Sequence, residues 1–265
     1  MPLWLYKAVK LRRAKNQILS ALADARDLVF VRSHGNIGDQ LIELGIRTIL
    51  QGWRYQEVQG ADLGEARGHS AVIAGGGAWC APYHEFMPEL LPQVELRFER
   101  VVVLPSSFDV QTVEVRNALE RTRAVVFARE PESYRQIRSL CDARLAHDCA
   151  LFADLRRWRR PGSGVLNAFR IDRESQLLSL GVKLPKDNVD ISATAGSLDE
   201  WLRTLAGAAR IRTDRAHVMI AGAMLGKTVE FVASSYHKVP AIAAHSLCPY
   251  RVRPLSFAEI SHSKG

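Results

Sequence analysis

The sequence predicts an α/β protein, a domain with a parallel sheet followed by a second, smaller α/β unit, and three observations carry that prediction. Four apolar runs, Leu28-Val29-Phe30-Val31, Ala71-Val72-Ile73-Ala74, Val101-Val102-Val103-Leu104 and Ala124-Val125-Val126-Phe127, are continuous rather than alternating, as strands buried on both faces must be. A helical stretch follows each run, which is the rhythm of a parallel sheet. The chain of 265 residues suits one large domain or two small ones. The charged Pro/Gly/Ser segment Arg159-Arg160-Pro161-Gly162-Ser163-Gly164 reads as a linker between two blocks. The expected divisions are a basic amphipathic helix over residues 1–26, an N-terminal domain over 27–157 and a smaller C-terminal domain over 163–265.

In the first helix Trp4, Ala8, Leu11, Ile18, Leu19 and Leu22 share one stripe, while Lys7, Lys10 and Arg13 lie off it. Such a helix could pack on its own domain or rest on an anionic membrane surface. After the first strand comes Ser33-His34-Gly35-Asn36-Ile37-Gly38-Asp39-Gln40, whose glycines let backbone approach a ligand and whose Asp39 can cap the next helix. The following runs end in Gly75-Gly76-Gly77-Ala78-Trp79, in Pro105-Ser106-Ser107 and in Ala128-Arg129-Glu130. Three glycines permit either ligand approach or close packing, and Arg129 with Glu130 could be a structural ion pair. In the C-terminal block strands are expected near Gly164–Phe169, Arg210–Thr213 and Thr228–Val232. Ligands of open α/β sheets sit beyond the carboxyl ends of strands, so these strand-end residues are the candidates for a cleft.

The strongest local signal is Arg212-Thr213-Asp214-Arg215-Ala216-His217, followed by the apolar run Val218 to Leu225 and by Gly226. Capped by Thr213 or Asp214, a helix here would hold Arg215 and His217 in its first turn, where the macrodipole and backbone N–H groups attract a small anion. The apolar run predicts a buried helix. The alternative is that Arg215 and His217 only satisfy local carbonyls and acids. Lys238, in Ser235-Tyr236-His237-Lys238, is expected to be solvated unless a cleft closes over it, and His34, His84, His147 and His237 read as packing or surface residues.

Charge and cysteines exclude several classes. The net charge of +8 sits in two segments, +5 over residues 1–26 and +4 over 151–173, with the remainder at −1. That distribution argues against a nucleic-acid surface spread over the protein. Cys80, Cys141, Cys149 and Cys248 form no CxxC pair, so no zinc site or disulfide framework is expected, and the reading is cytoplasmic. No signal peptide and no membrane-crossing run is apparent. His34-Gly35-Asn36-Ile37-Gly38 lacks the GxGxxG spacing of dinucleotide-binding enzymes.

Taken in order, the motifs resemble the polysaccharide pyruvyl transferase family. Gly35-Asn36-Ile37-Gly38-Asp39 is similar to its GN-x-GD motif, Thr213-Asp214-Arg215-Ala216-His217 to its TDRLH motif, and Tyr236-His237-Lys238 to its Y-x-K. The Gly75–Gly77 run, Leu104-Pro105-Ser106-Ser107 and Arg129-Glu130 with Ser133 match between them. The chain departs from the pattern at Ala78, at Cys80-Ala81, at Ser106 and at Ala216. The resemblance implies two Rossmann-like domains with parallel sheets in a GT-B-like arrangement, and transfer of pyruvate from phosphoenolpyruvate, with no cofactor, to two hydroxyls of a saccharide acceptor as a ketal. It implies Arg129, Arg215 and His217 as donor-site and catalytic residues, and it sets Asn36, Asp39, Gly75, Gly76, Gly77, Ser106 and Lys238 along the substrates. Arginines suit the donor's carboxylate and phosphate, and His217 suits protonation of its methylene carbon. Asp39, Asp109 and Glu130 are the candidate bases for the sugar hydroxyl. Two rival readings fit the same motifs: a GT-B glycosyltransferase using a nucleotide sugar, and an inactive family member that binds saccharide or scaffolds a complex.

Overall fold

The computed structural model describes residues 3–261, apart from His34, Pro82 and Ser235. The chain divides into two compact units, one of residues 1–35 and 42–153, the other of residues 36–41 and 154–265. Residues 36–41, expected within the first domain, thus group with the second.

The first unit opens with α1 (Leu3–Ala21), followed by β1 (Leu28–Arg32), α2 (Asp39–Ile49), β2 (Tyr55–Gln59), β3 (Gly68–Ile73), β4 (Gly76–Trp79) and α3 (Phe86–Glu95). It continues through β5 (Phe98–Phe108), α4 (Val113–Arg121), β6 (Val125–Ala128), α5 (Pro131–Ile137) and β7 (Asp142–Leu145). All strand pairs are parallel, in the order β2-β1-β3-β5-β6-β7, with β4 paired to β5. The four predicted strands are the buried inner ones: Phe30, Val31, Ile73, Val103 and Val126 have no exposed surface. Each such side chain stabilises the unit by about 1.5–3 kcal/mol.

Helix α1 packs by Ala14, Ile18, Ala21 and Leu22, whereas Ala8 is exposed and Leu11 and Leu19 are half-buried. The buried stripe is therefore shifted from the expected one toward the end of the helix. Arg12 and Arg13 lie on the exposed face. The side chains of Trp4 and Lys7 lie outside the described residues.

The glycine run is part of the sheet rather than a loop beyond it. Gly76–Trp79 forms β4, and a Cβ on Gly75 would stand 2.2 Å from the Pro105 carbonyl oxygen. Gly76 has φ of 141°, which favours glycine. Pro105 lies inside β5, where its missing N–H coincides with a break in the β5/β6 register between Val103 and Ser106. Trp79 packs on Phe108 with ring centroids 5.3 Å apart.

The second unit contains β8 (Ser163–Asn167), α6 (Gln176–Ser179), α7 (Ile191–Thr194), α8 (Leu198–Gly207), β9 (Ala208–Thr213), α9 (Ala216–Met224) and β10 (Thr228–Phe231). It ends with α10 (Lys238–Ser246), β11 (Val252–Pro254) and α11 (Phe257–Ser261). The strands are parallel in the order β11-β10-β9-β8. Val218, Met219, Ile220 and Ala221 of α9 are fully buried, and Gly222 lets the helix sit against Ile211 and Val229, whose atoms would be 2.9 Å from a Cβ there. The helix stops where expected. Gly226, at φ of 82°, donates to Ala223 O, and Lys227 N donates to Gly222 O, the paired bonds of a Schellman stop.

The presumed linker at Arg159–Gly164 is fastened to this unit. Arg159 Nε donates to Met224 O and Arg160 Nη2 to Arg203 O, placing cations at the carbonyl ends of α9 and α8. Lys227 Nζ donates to Arg160 O and Ala206 O, and a Cβ on Gly162 would fall 2.2 Å from Ala208 O. Among the described residues no helix is long and apolar enough to cross a membrane.

Candidate active site

The charged groups of the second unit gather where β8, β9 and β10 end. β9 finishes at Thr213, whose hydroxyl donates to Ala168 O and accepts from Arg215 N. Those bonds tie β9 to the segment after β8 and leave α9 without a side-chain cap. The expected capping by Thr213 or Asp214 is therefore corrected: Arg215 is itself the N-cap residue, extended at φ −96°, and His217 alone of the two occupies the first turn. Asp214 turns the other way, buried, with Oδ1 accepting from Arg170 N at 2.9 Å and Oδ2 without a hydrogen-bond partner. Burial pushes its carboxyl up to about 6, against the lowering effect of Arg170 and Arg215.

Arg215 is held side-on by Asp190, Nε to Oδ1 at 2.7 Å and Nη2 to Oδ2 at 2.6 Å. The same Nη2 reaches Asp172 Oδ2 at 2.9 Å. Asp172 also accepts two bonds from Arg170, from Nε at 2.7 Å and from Nη2 at 2.9 Å. Burial alone would raise the Asp172 carboxyl, yet the bonds from Arg170 and the charges of both arginines hold it at about 2. Arg170 further pairs with Glu174, which in turn contacts Lys238 Nζ and accepts from Tyr236 Oη at 2.9 Å. Burial works against ionisation of Glu174 too, and the neighbouring Lys238 and Arg170 charges bring it below the usual carboxylate range. Lys238 is buried and ion-paired rather than solvated, with its ammonium 4.8 Å from the Tyr236 ring centroid.

His217 meets the Asn36–Asp39 turn. Its Nδ1 lies 3.4 Å from Asp39 Oδ1, while Asp39 Oδ2 accepts from Asn36 N and Asn36 Oδ1 accepts from Gly38 N, both at 2.8 Å. Asp39 is the first residue of α2 and reaches back to Asn36, so it does not act as the preceding cap. A Cβ on Gly38 would be 3.1 Å from His217 Cβ and 3.3 Å from Nδ1, so this position has little room for a side chain beside the imidazole.

The remaining candidates belong to the first unit. Arg129 is 1% exposed, donates from Nε to Ser107 Oγ and from Nη1 to Asp148 Oδ2, both at 2.8 Å. Its ion-pair partner is thus Asp148. Glu130 instead caps α5, accepting from Ser133 N at 2.8 Å and from the Ser133 hydroxyl. Ser106 is buried and donates to Leu104 O at 2.9 Å. Gly75, Gly76 and Gly77 border β5 as described, and Asp109 Oδ1 accepts from Gln111 N. His34 and Ser235 lie outside the described residues, and no metal-binding cluster of acids, histidines and cysteines occurs among the described ones.

Sequence reasoning missed Arg170, Asp172, Glu174 and Asp190. The first three carried a usable signal, since Arg170-Ile171-Asp172-Arg173-Glu174 follows a predicted strand. Asp190 carried none, being 25 residues from the arginine that it holds.

The fold and this site define an α/β protein with a dense charged centre at the carboxyl ends of a parallel sheet. The family model for polysaccharide pyruvyl transferase matches residues 36–236, and the chain belongs to that family of transferases. The stretch spans Asn36, Asp39, Arg129, Arg215 and His217. No curated protein matches the chain significantly. Among solved structures it is similar to a functionally uncharacterised protein from Klebsiella pneumoniae, with 22% identity, a TM-score of 0.76, and coverage of 93% of this chain and 98% of that one. At that identity the likeness speaks for the fold.

Proposed function

We propose that this protein moves the pyruvyl group of phosphoenolpyruvate onto two hydroxyls of a sugar in an exopolysaccharide or a lipid-linked precursor, forming a pyruvate ketal and releasing phosphate. The observation that carries the reading is the start of α9, where the Arg215 guanidinium stands two residues from an imidazole whose Nδ1 faces Asp39. Asp39 orients the ring, so the proton to be given lies on Nε2. That proton goes to the methylene carbon, which becomes a methyl group and leaves C2 oxocarbenium-like. One sugar hydroxyl adds to C2 and loses its proton, phosphate departs with the electrons of its C–O bond, and the second hydroxyl closes the ketal and loses its own proton. Arg215 binds donor anion throughout. Asp39 is the base nearest His217 and is the residue to test for the hydroxyl proton.

The reaction needs no cofactor, because expulsion of phosphate drives it. A GT-B-like pairing of the units and a cytoplasmic setting belong to the same proposal, with exposed Arg12 and Arg13 on α1 available to an anionic membrane that holds a lipid-linked acceptor. Thermal shift with phosphoenolpyruvate beside a panel of nucleotide sugars tests the donor. Stabilisation by phosphoenolpyruvate that vanishes in Arg215→Ala is the expected result; stabilisation by a nucleotide sugar alone would replace the reading with a glycosyltransferase.

A further inference from the structure

Asp172 is held in the way an arginine pair holds a small carboxylate. Its two oxygens take a fork from Arg170, and Oδ2 takes a third bond from Arg215, all between 2.7 and 2.9 Å, while Oδ1 also accepts from its near neighbour Glu174 N at 3.0 Å. The two arginines are buried and otherwise anchored, Arg215 by Asp190 and Arg170 by Glu174, whereas the Asp172 side chain is 34% exposed. Asp190 is 1% exposed and also accepts from Ile171 N, so it is fixed in place. Two rigid cations therefore share one anion that reaches solvent from a connecting segment. Such an anion is the exchangeable member of the group, since a free carboxylate can take the three arginine bonds while water replaces them on Asp172 and the Glu174 N–H turns to solvent or stays with the departing side chain.

We propose that Arg170 and Arg215 form a carboxylate clamp for the donor, and that Asp172 occupies it in the empty protein and is displaced when the donor binds. The proposal rests on the pyruvyl transfer reading for the identity of the donor, and it adds Arg170 as a substrate-binding residue and Asp172 as an internal competitor. Asp190 and Glu174 act as positioning residues, which keep the forks aimed when Asp172 leaves. A competitor lowers affinity by the fraction of time that it occupies the site. Removing its charge should accordingly raise affinity for carboxylates, an outcome opposite to that of deleting a structural ion pair.

The test titrates pyruvate, phosphoenolpyruvate and inorganic phosphate into the wild type, Asp172→Asn, Asp172→Ala and Arg170→Gln, with circular dichroism to verify the fold. Pyruvate and phosphoenolpyruvate should bind about tenfold tighter to both Asp172 variants and at least about tenfold weaker to Arg170→Gln. Phosphate affinity should be the same in the wild type and the Asp172 variants. Carboxylate affinity that is unchanged or weaker in both folded Asp172 variants overturns the proposal, and so does equal tightening of phosphate, which would make the clamp a general anion site. Phosphoenolpyruvate that binds through Arg215 but ignores Asp172 would remove the competitor and leave the donor reading intact. Pyruvate that tightens while phosphoenolpyruvate binds no better than pyruvate would keep the clamp and remove the donor.

Discussion

Asp214→Asn should change how the second unit's stability depends on pH. Burial carries the Asp214 carboxyl from the ordinary 3.8 to about 6, so the native state holds its proton over a range in which the unfolded chain has lost it. Stability from this group is present below about pH 4, falls as the pH rises through 6 and levels off above about pH 7. The full span corresponds to about 3 kcal/mol, of which about 2 kcal/mol lies between pH 4.5 and 7.5. For a chain of this size that is a difference of roughly 4–8 °C in Tm. Asparagine keeps the bond accepted by Oδ1 from Arg170 N and cannot ionise. The Tm of the variant minus that of the wild type, followed from pH 4.5 to 7.5, should therefore rise by that amount, with the steepest change near pH 5. A flat difference would show that Asp214 reaches solvent or a cation in the native state, and the burial argument would be refuted.

Three further outcomes follow from particular contacts. Arg129→Ala leaves Asp148 charged and buried without its guanidinium, so about 3–5 kcal/mol of stability should be lost in denaturant titration; a loss under about 1 kcal/mol would mean that water already reaches the pair. Gly75→Ala places a Cβ against the Pro105 backbone, which has no rotamer to yield, and should cost about 3 kcal/mol, read as a fall in expression and Tm. Gly38→Ala would place a Cβ 3.0 Å from Asn36 Oδ1 and 3.1 Å from His217 Cβ, contacts relieved by shifts of a few tenths of an ångström, so it should cost about 1 kcal/mol while lowering kcat about tenfold through a displaced imidazole. Equal loss of stability in the two glycine variants would contradict that distinction.

The inner strands were legible because burial on both faces demands unbroken apolar runs. Tyr55–Gln59, Asp142–Leu145 and Val252–Pro254 were not, since they are the outermost strands β2, β7 and β11, where polar residues and even a proline are tolerated. The buried helix α9 announced itself through Val218 to Leu225 and Gly226. Its cap did not, because a Thr213 hydroxyl can serve either the helix or the chain beside it, and here it bonds Ala168 O and Arg215 N. Arg215 and His217 were visible as chemistry, but their partners depend on approaches across long sequence separations. Asp172 and Asp190 lie 43 and 25 residues from Arg215, and only the packed fold brings them to it. Arg129 illustrates the converse, a residue chosen for its charge that bonds Ser107 and Asp148 within the first unit.

The most direct measurement is calorimetric titration of phosphoenolpyruvate into the wild type, Arg215→Ala and His217→Asn. An anchoring arginine and a proton-donating histidine predict that Arg215→Ala loses binding by at least about tenfold, while His217→Asn binds within a few-fold of the wild type and fails to turn over. Phosphoenolpyruvate that binds equally well without Arg215, or that fails to bind the wild type at all, would contradict the account.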